Sequence, residues 1–222
     1  MKRLNTNFLK ATLLFVLVAS SNLFAQDPTR FQNEIDALNA TEFKIDSKKE
    51  VVVFTGSSSV RMWKHVQEDF PFVNAINTGF GGSAMTDLQY YLNDLVFKYN
   101  PDKVFIYEGD NDISGSIAPE AVIKTTKEVV ASIKAKLPNA QIYLISAKPS
   151  ILRWSFEKQY MALNKLFEEY SAETEGVTFV DVWNPMLNKE GTPFDDIFLS
   201  DNLHMNKKGY VIWAKVVGKY LR

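Results

Sequence analysis

Cysteine is absent from all 222 residues, and histidine occurs only twice, at His65 and His204. The first absence removes a thiol nucleophile, a disulfide framework and every cysteine-type zinc site. The second removes any metal cage built from several histidines. No lysine- or arginine-rich stripe is present and the formal net charge is −1, which argues against nucleic acid as a partner. Internal repeats and low-complexity linkers are also missing. Apolar residues are not scarce. They make up 46% of the chain, enough to bury a core without covalent staples.

The N-terminus is unlike the rest. Lys2, Arg3 and Lys10 flank an apolar stretch over residues 11–20, and Leu23-Phe24-Ala25 ends on a small residue before Gln26. Residues 1–25 therefore read as a secretory signal. The uncharged span is shorter than the roughly 20 apolar residues of a bilayer crossing, and with no cysteine there is no lipoprotein anchor. Losing that segment takes three of the 25 basic residues and none of the 26 acidic ones, leaving 22 against 26. A single domain is expected over residues 26–222, with no stable membrane insertion. Export without disulfides points to a bacterial periplasm or exterior.

Apolar patterning predicts strands over residues 51–55, 73–77, 103–107, 141–146 and 177–182. Helices are predicted early in 27–47, starting within 57–65, over 86–99, 119–137 and 156–174, and from an N-cap at Asn206 to about residue 221. Strands that alternate with helices give a parallel sheet covered on both sides. In such sheets ligands bind beyond the carboxyl ends of the strands. Three polar stretches follow strands and should meet there: Gly56-Ser57-Ser58-Ser59, Gly79-Phe80-Gly81-Gly82-Ser83 and Gly109-Asp110-Asn111-Asp112.

A serine hydroxyl needs a base. His65, beside Trp63 and Val66 in a predicted helix, reads as an ordinary surface or packing residue. His204 has Asp201 three residues before it, a spacing that lets the carboxylate hold one ring nitrogen and leave the other free. Such a pair is common by chance, as a turn or a cap. No G-x-S-x-G elbow occurs, so the usual α/β-hydrolase arrangement is not expected. Spacing alone leaves Ser57 and Ser58 open as the attacking hydroxyl. Gly82, through its backbone N–H, and Asn111, through its amide, are candidate oxyanion donors. Singly, each also reads as ordinary turn chemistry.

In these blocks the chain resembles the SGNH hydrolases, the GDSL-type esterases and lipases. The resemblance covers nearly all of residues 26–222 and keeps the family's block order. It implies a three-layer, flavodoxin-like α/β/α sandwich around a five-stranded parallel sheet. Gly56-Ser57-Ser58 stands at the family's Gly-Asp-Ser, with Ser57 in place of the aspartate, and implies Ser58 as nucleophile. Asn77-Thr78-Gly79-Phe80-Gly81-Gly82 implies Gly82, and Gly109-Asp110-Asn111-Asp112 implies Asn111. With the N–H of Ser58 these form the oxyanion hole. Asp201 and His204 match the closing Asp-x-x-His. The resemblance implies acyl transfer without cofactor or metal.

Gly56-Ser57-Ser58-Ser59 followed by Arg61 and Trp63 looks most like the family's acetylhydrolase-like branch. Small acyl groups, acetyl above all, on a soluble or sugar alcohol are the expected substrates. Lysophospholipase or thioesterase action is the alternative within the family. Phe80, Trp154, Phe194 and Phe198 are candidate walls of an acyl pocket, or else core aromatics. Two readings of other classes remain: metal-assisted phosphoester hydrolysis through Asp110, Asp112, Asp195, Asp196 and Asp201, and a non-catalytic carbohydrate-binding relative.

Overall fold

The structure, a computed structural model, describes residues 27–221. The signal segment expected over residues 1–25 lies outside them. Five strands, β1 (Val51–Gly56), β2 (Asn74–Asn77), β3 (Lys103–Tyr107), β4 (Gln141–Ile145) and β5 (Val177–Val180), pair in parallel in the order β2-β1-β3-β4-β5. The chain leaves β1 for one neighbour, β2, and then crosses back to the other, β3. The switch point therefore falls at the carboxyl ends of β1 and β3.

The helices are α1 (Gln32–Asn39), α2 (Ser58–Arg61), α3 (Val66–Asp69), α4 (Met85–Tyr90), α5 (Leu92–Leu95), α6 (Asp110–Ser114), α7 (Pro119–Lys136), α8 (Glu157–Glu173) and α9 (Lys207–Val217). Side chains alternate across each strand, so β3 sends Val104 and Ile106 to one core and Phe105 and Tyr107 to the other. The first core is closed by α1, α4, α5, α7 and α8, the second by α2, α3 and α9. The result is the three-layer α/β/α sandwich. Phe54, Phe105 and Tyr143 are register partners on β1, β3 and β4. Their rings stack at 4.9 and 4.3 Å, and each such pair adds about 0.5–1.5 kcal/mol beyond the area it buries.

Two stretches depart from the sequence reading. The helix expected over 86–99 is broken into α4, α5 and a 3-10 turn at Phe97–Tyr99. Tyr91 leaves helical geometry at φ −100°, ψ 19°, and its buried hydroxyl donates to the Pro28 carbonyl at 3.0 Å. Thr78 donates its hydroxyl to the Leu95 carbonyl at 3.0 Å, in place of a helical N–H. The polar run after β3, for which no helix is predicted, forms the short helix α6. It begins after Gly109 at φ +101°, where an added Cβ would come within 2.5 Å of Leu163. Asp110 and Asp112 then occupy its first turn, where acids favour a helix start. Asn206 caps α9, its side chain accepting the N–H groups of Lys208 and Gly209 at 2.8 and 3.4 Å.

Candidate active site

The first hydroxyl is placed by a glycine. Gly56 ends β1 at φ +118°, and a Cβ there would lie 2.1 Å from the Tyr107 carbonyl oxygen. Only glycine lets the chain turn this tightly against β3. Ser57 follows with its N–H on that same carbonyl at 3.0 Å, and Ser58 opens α2. The end of β2 grips this helix. Asn77 donates its amide to the carbonyls of Val60 and Trp63 at 2.7 and 3.0 Å. Tyr210 of α9 donates its hydroxyl to the Ser59 carbonyl at 2.9 Å.

His204 comes from the loop ahead of α9. Its Nε2 lies 3.0 Å from Ser58 Oγ and its Nδ1 lies 2.6 Å from Asp201 Oδ2. The other oxygen of Asp201 accepts the N–H groups of Leu203 and His204, both at 2.9 Å. Burial pushes the Asp201 carboxyl up, but the His204 ring and these two N–H groups outweigh it and bring it to about 2. The loop is tied down from two sides. Leu152 donates its N–H to the Asn202 carbonyl at 3.0 Å. Lys148, fully buried, donates to the Leu203 carbonyl at 2.8 Å.

Asn111, in α6, reaches toward the same point. Its Nδ2 donates to Ser57 Oγ at 3.0 Å and to the Ser83 carbonyl at 2.9 Å. Gly82 is exposed, and a Cβ built there would stand 3.8 Å from Asn111 Nδ2 with no closer neighbour. Among the described residues, no hydrogen bond uses the backbone N–H of Ser58 or of Gly82. The structure thus gathers Ser58, His204, Asp201, Asn111 and Gly82 at the switch point. Ser57 lies beside them, but its hydroxyl is buried against Asn111 rather than His204. His65 is remote in role: its side chain is exposed, with Glu68 as its charged neighbour at 3.9 Å.

Sequence reasoning missed the layer beneath. Asp110 is buried and accepts from Arg153 Nη1 at 2.6 Å, from Tyr160 at 2.7 Å and from Tyr107 at 2.8 Å, with Lys148 Nζ at 3.7 Å. Burial raises its pKa, but Lys148 and Arg153 more than offset this and hold it below the usual carboxylate range. Behind the Gly82 turn, the Ser83 hydroxyl donates to the fully buried Glu108 at 2.6 Å. Burial, with Asp112 adding to it, pushes Glu108 well above the ordinary carboxylate range. Four of the five acids weighed as a metal set, Asp110 among them, are otherwise engaged. Asp112 accepts the Met85 N–H at 3.2 Å, Asp196 pairs with Lys208, and Asp201 holds His204. Among the described residues no group of three or more His, Cys, Asp or Glu side chains could hold a metal.

The aromatic candidates separate. Phe80 is a core residue, fully buried with its ring edge-on to Phe31 and Tyr91. Phe198 is buried beneath Lys148. Trp154 is half-buried and stacks on Trp183, while Phe194 is half-buried at the edge of the second core. Among the described residues no helix is long and apolar enough to cross a membrane.

A parallel α/β/α sandwich with a serine, a histidine and an aspartate in series at its switch point defines a class of hydrolases. Residues 50–212 match the family model described as the GDSL-like Lipase/Acylhydrolase family, and the chain belongs to that family. No curated protein matches the sequence. Among solved structures, one similar fold is a Streptococcus pneumonia protein provisionally titled a platelet activating factor. It is 22% identical with a TM-score of 0.75, covering 88% of this chain and 92% of that one. Another is a GDSL-like lipase from Bacteroides thetaiotaomicron, 19% identical with a TM-score of 0.71, covering 88% and 98%. A third is an acetylxylan esterase from Geobacillus stearothermophilus, 16% identical with a TM-score of 0.66, covering 81% and 96%. Variants of that esterase at a serine, an aspartate and, three positions later, a histidine are catalytic mutants.

Proposed function

We propose that the chain is an exported serine esterase that removes short acyl groups, acetyl foremost, from soluble or sugar alcohols through an acyl-enzyme. The observation that carries this reading is the series Asp201–His204–Ser58, at 2.6 and 3.0 Å. In the proposed cycle, Ser58 Oγ attacks the ester carbonyl carbon while His204 Nε2 takes its proton. Asp201 keeps the other ring nitrogen protonated and balances the imidazolium that forms. The carbonyl oxygen gains the negative charge and is met by the N–H groups of Ser58 and Gly82 and by Asn111 Nδ2. Both amide protons of Asn111 are already engaged, so the oxyanion shares or displaces one of those bonds. Collapse of the intermediate breaks the bond to the alcohol oxygen, which leaves with the proton from His204. Water then attacks the acyl carbon as His204 takes its proton, the bond to Ser58 Oγ breaks, and His204 returns the proton to Oγ, releasing the acid and free Ser58.

The preference for a small acyl group on a sugar or other soluble alcohol is supported by the likeness to an acetylxylan esterase fold and by the signal-like residues 1–25. Export to a periplasm or exterior belongs to the same proposal. The test is a chain-length series of p-nitrophenyl esters run beside acetylated xylo-oligosaccharides, with released acid measured. Acetyl esters should give the highest kcat/KM. A maximum at long acyl chains would move the reading to lysophospholipase action, and a higher kcat/KM on acyl thioesters included in the same series would move it to thioesterase action.

A further inference from the structure

From the buried layer under the site we infer that Arg153 is a positioning residue that aims the Asn111 amide at the oxyanion. This inference rests on the esterase reading above. A single guanidinium nitrogen, Nη1, donates to Asp110 Oδ1 at 2.6 Å and to Asn111 Oδ1 at 3.0 Å. Guanidinium has donors only, so the face that Asn111 turns to Arg153 must be its carbonyl. On the opposite face lies the Ser83 carbonyl, which can only accept, 2.9 Å from Nδ2. The two constraints agree, and together they fix the amide orientation with its N–H groups toward Ser57, Ser83 and the reacting point.

Arg153 is itself held. Asp110 binds it, the Ser150 hydroxyl accepts its backbone N–H at 3.3 Å, and Tyr160 and Tyr107 hold Asp110 from the other side. A cation on the amide oxygen also draws electrons from the amide, which strengthens its N–H groups as donors. Asp110 keeps Lys148 as a second cation, so removing Arg153 does not leave the buried carboxylate without a positive neighbour. Polar composition hid this: Arg153 stands 42 residues from Asn111 in sequence, in a loop that carries no motif.

The test is a double-mutant cycle on p-nitrophenyl acetate with Arg153→Met, Asn111→Ala and the pair, each variant's melting checked. Asn111→Ala should lower kcat about 10²-fold, the cost of losing an oxyanion donor. Arg153→Met should lower kcat about 10-fold, with KM held within about threefold, because the lost interaction acts in the transition state. In the Asn111→Ala background, removing Arg153 should cost nothing further. If Arg153→Met fails to fold, Arg153→Lys is compared in the same cycle, since it keeps a cation for Asp110 on a shorter stem. Unchanged kcat on removing Arg153, or losses that multiply in the double variant, would overturn the inference and leave the esterase reading intact. An Asn111→Ala variant with full kcat would instead remove the oxyanion role of Asn111 and the inference with it.

Discussion

Asp201 holds His204 twice: one carboxylate oxygen lies 2.6 Å from the ring Nδ1, and the other accepts the backbone N–H of the same residue at 2.9 Å. The ring is thus fixed in place and in tautomer by one side chain. Asp201→Asn should lower kcat by about 10²–10⁴-fold. A variant with parental kcat would show that His204 needs no such partner.

The pH dependence follows from the same pair. With its folded value at about 2, Asp201 stays ionised through the acidic range in which imidazoles protonate. Loss of rate in acid is expected from His204, because imidazolium cannot accept the proton of Ser58. A rate profile recorded from mildly acidic to mildly basic pH should fall on the acid side. A flat profile would contradict His204 as base. For stability the sign is that of a depressed acid: the contribution of Asp201 is present above its unfolded value and is lost as pH falls toward 2.

Ser57 and Ser58 stand side by side, yet only Ser58 faces the imidazole. Ser58→Ala should abolish turnover, by at least about 10³-fold. Ser57→Ala removes an acceptor from Asn111 and should leave most of the activity. Steady-state kinetics on p-nitrophenyl acetate separate the two, and the opposite ranking would name Ser57 as the attacking hydroxyl.

Gly82 offers a contrast with Gly56. A side chain at Gly56 meets backbone, whereas one at Gly82 meets open space beside Asn111. Gly82→Ala should fold normally, and its methyl should crowd the oxyanion and lower kcat by about 10–10²-fold. Parental kcat in this variant would place the oxyanion elsewhere.

Ionising the buried Asp112 carboxyl lowers stability. Burial raises its carboxyl from 3.8 to about 6, with backbone N–H groups offsetting only part of the effect. The folded state then holds a proton that the unfolded state releases, so stability falls as pH rises from about 4 to about 6 and the full cost applies above that. The difference amounts to on the order of 3 kcal/mol. Asp112→Asn should gain stability on the parent by about that amount between about pH 4 and pH 7, read from denaturant unfolding at both. An equal difference at both pH values would contradict the shift.

Much of this was legible in sequence because it depends on local pattern. β1 announces itself through Val51-Val52-Val53-Phe54, and Asn206 caps α9 as its residue type predicts. The alternation of strands and helices, with a polar stretch after each of three strands, placed all three stretches at one edge of the sheet. What failed to show depends on contacts between distant residues. The break at Tyr91 comes from a hydroxyl reaching Pro28, and the burial of Phe80 comes from Phe31. The Asp110 cluster joins residues of β3, α6, α8 and an unpatterned loop, and no spacing rule links them. The burial of Asp110 and Asp112 did not show, because composition carries no burial.

The central claim is that an acyl group passes through Ser58. Intact-protein mass spectrometry of enzyme mixed with p-nitrophenyl acetate and quenched in acid, followed by peptide mapping, tests it directly. The account predicts one acetyl group on the peptide that carries Ser58, absent from Ser58→Ala and accumulated when deacylation is slowed. Turnover of the ester by the parent protein with no acyl adduct under any quench, or with the adduct on another residue, would contradict it.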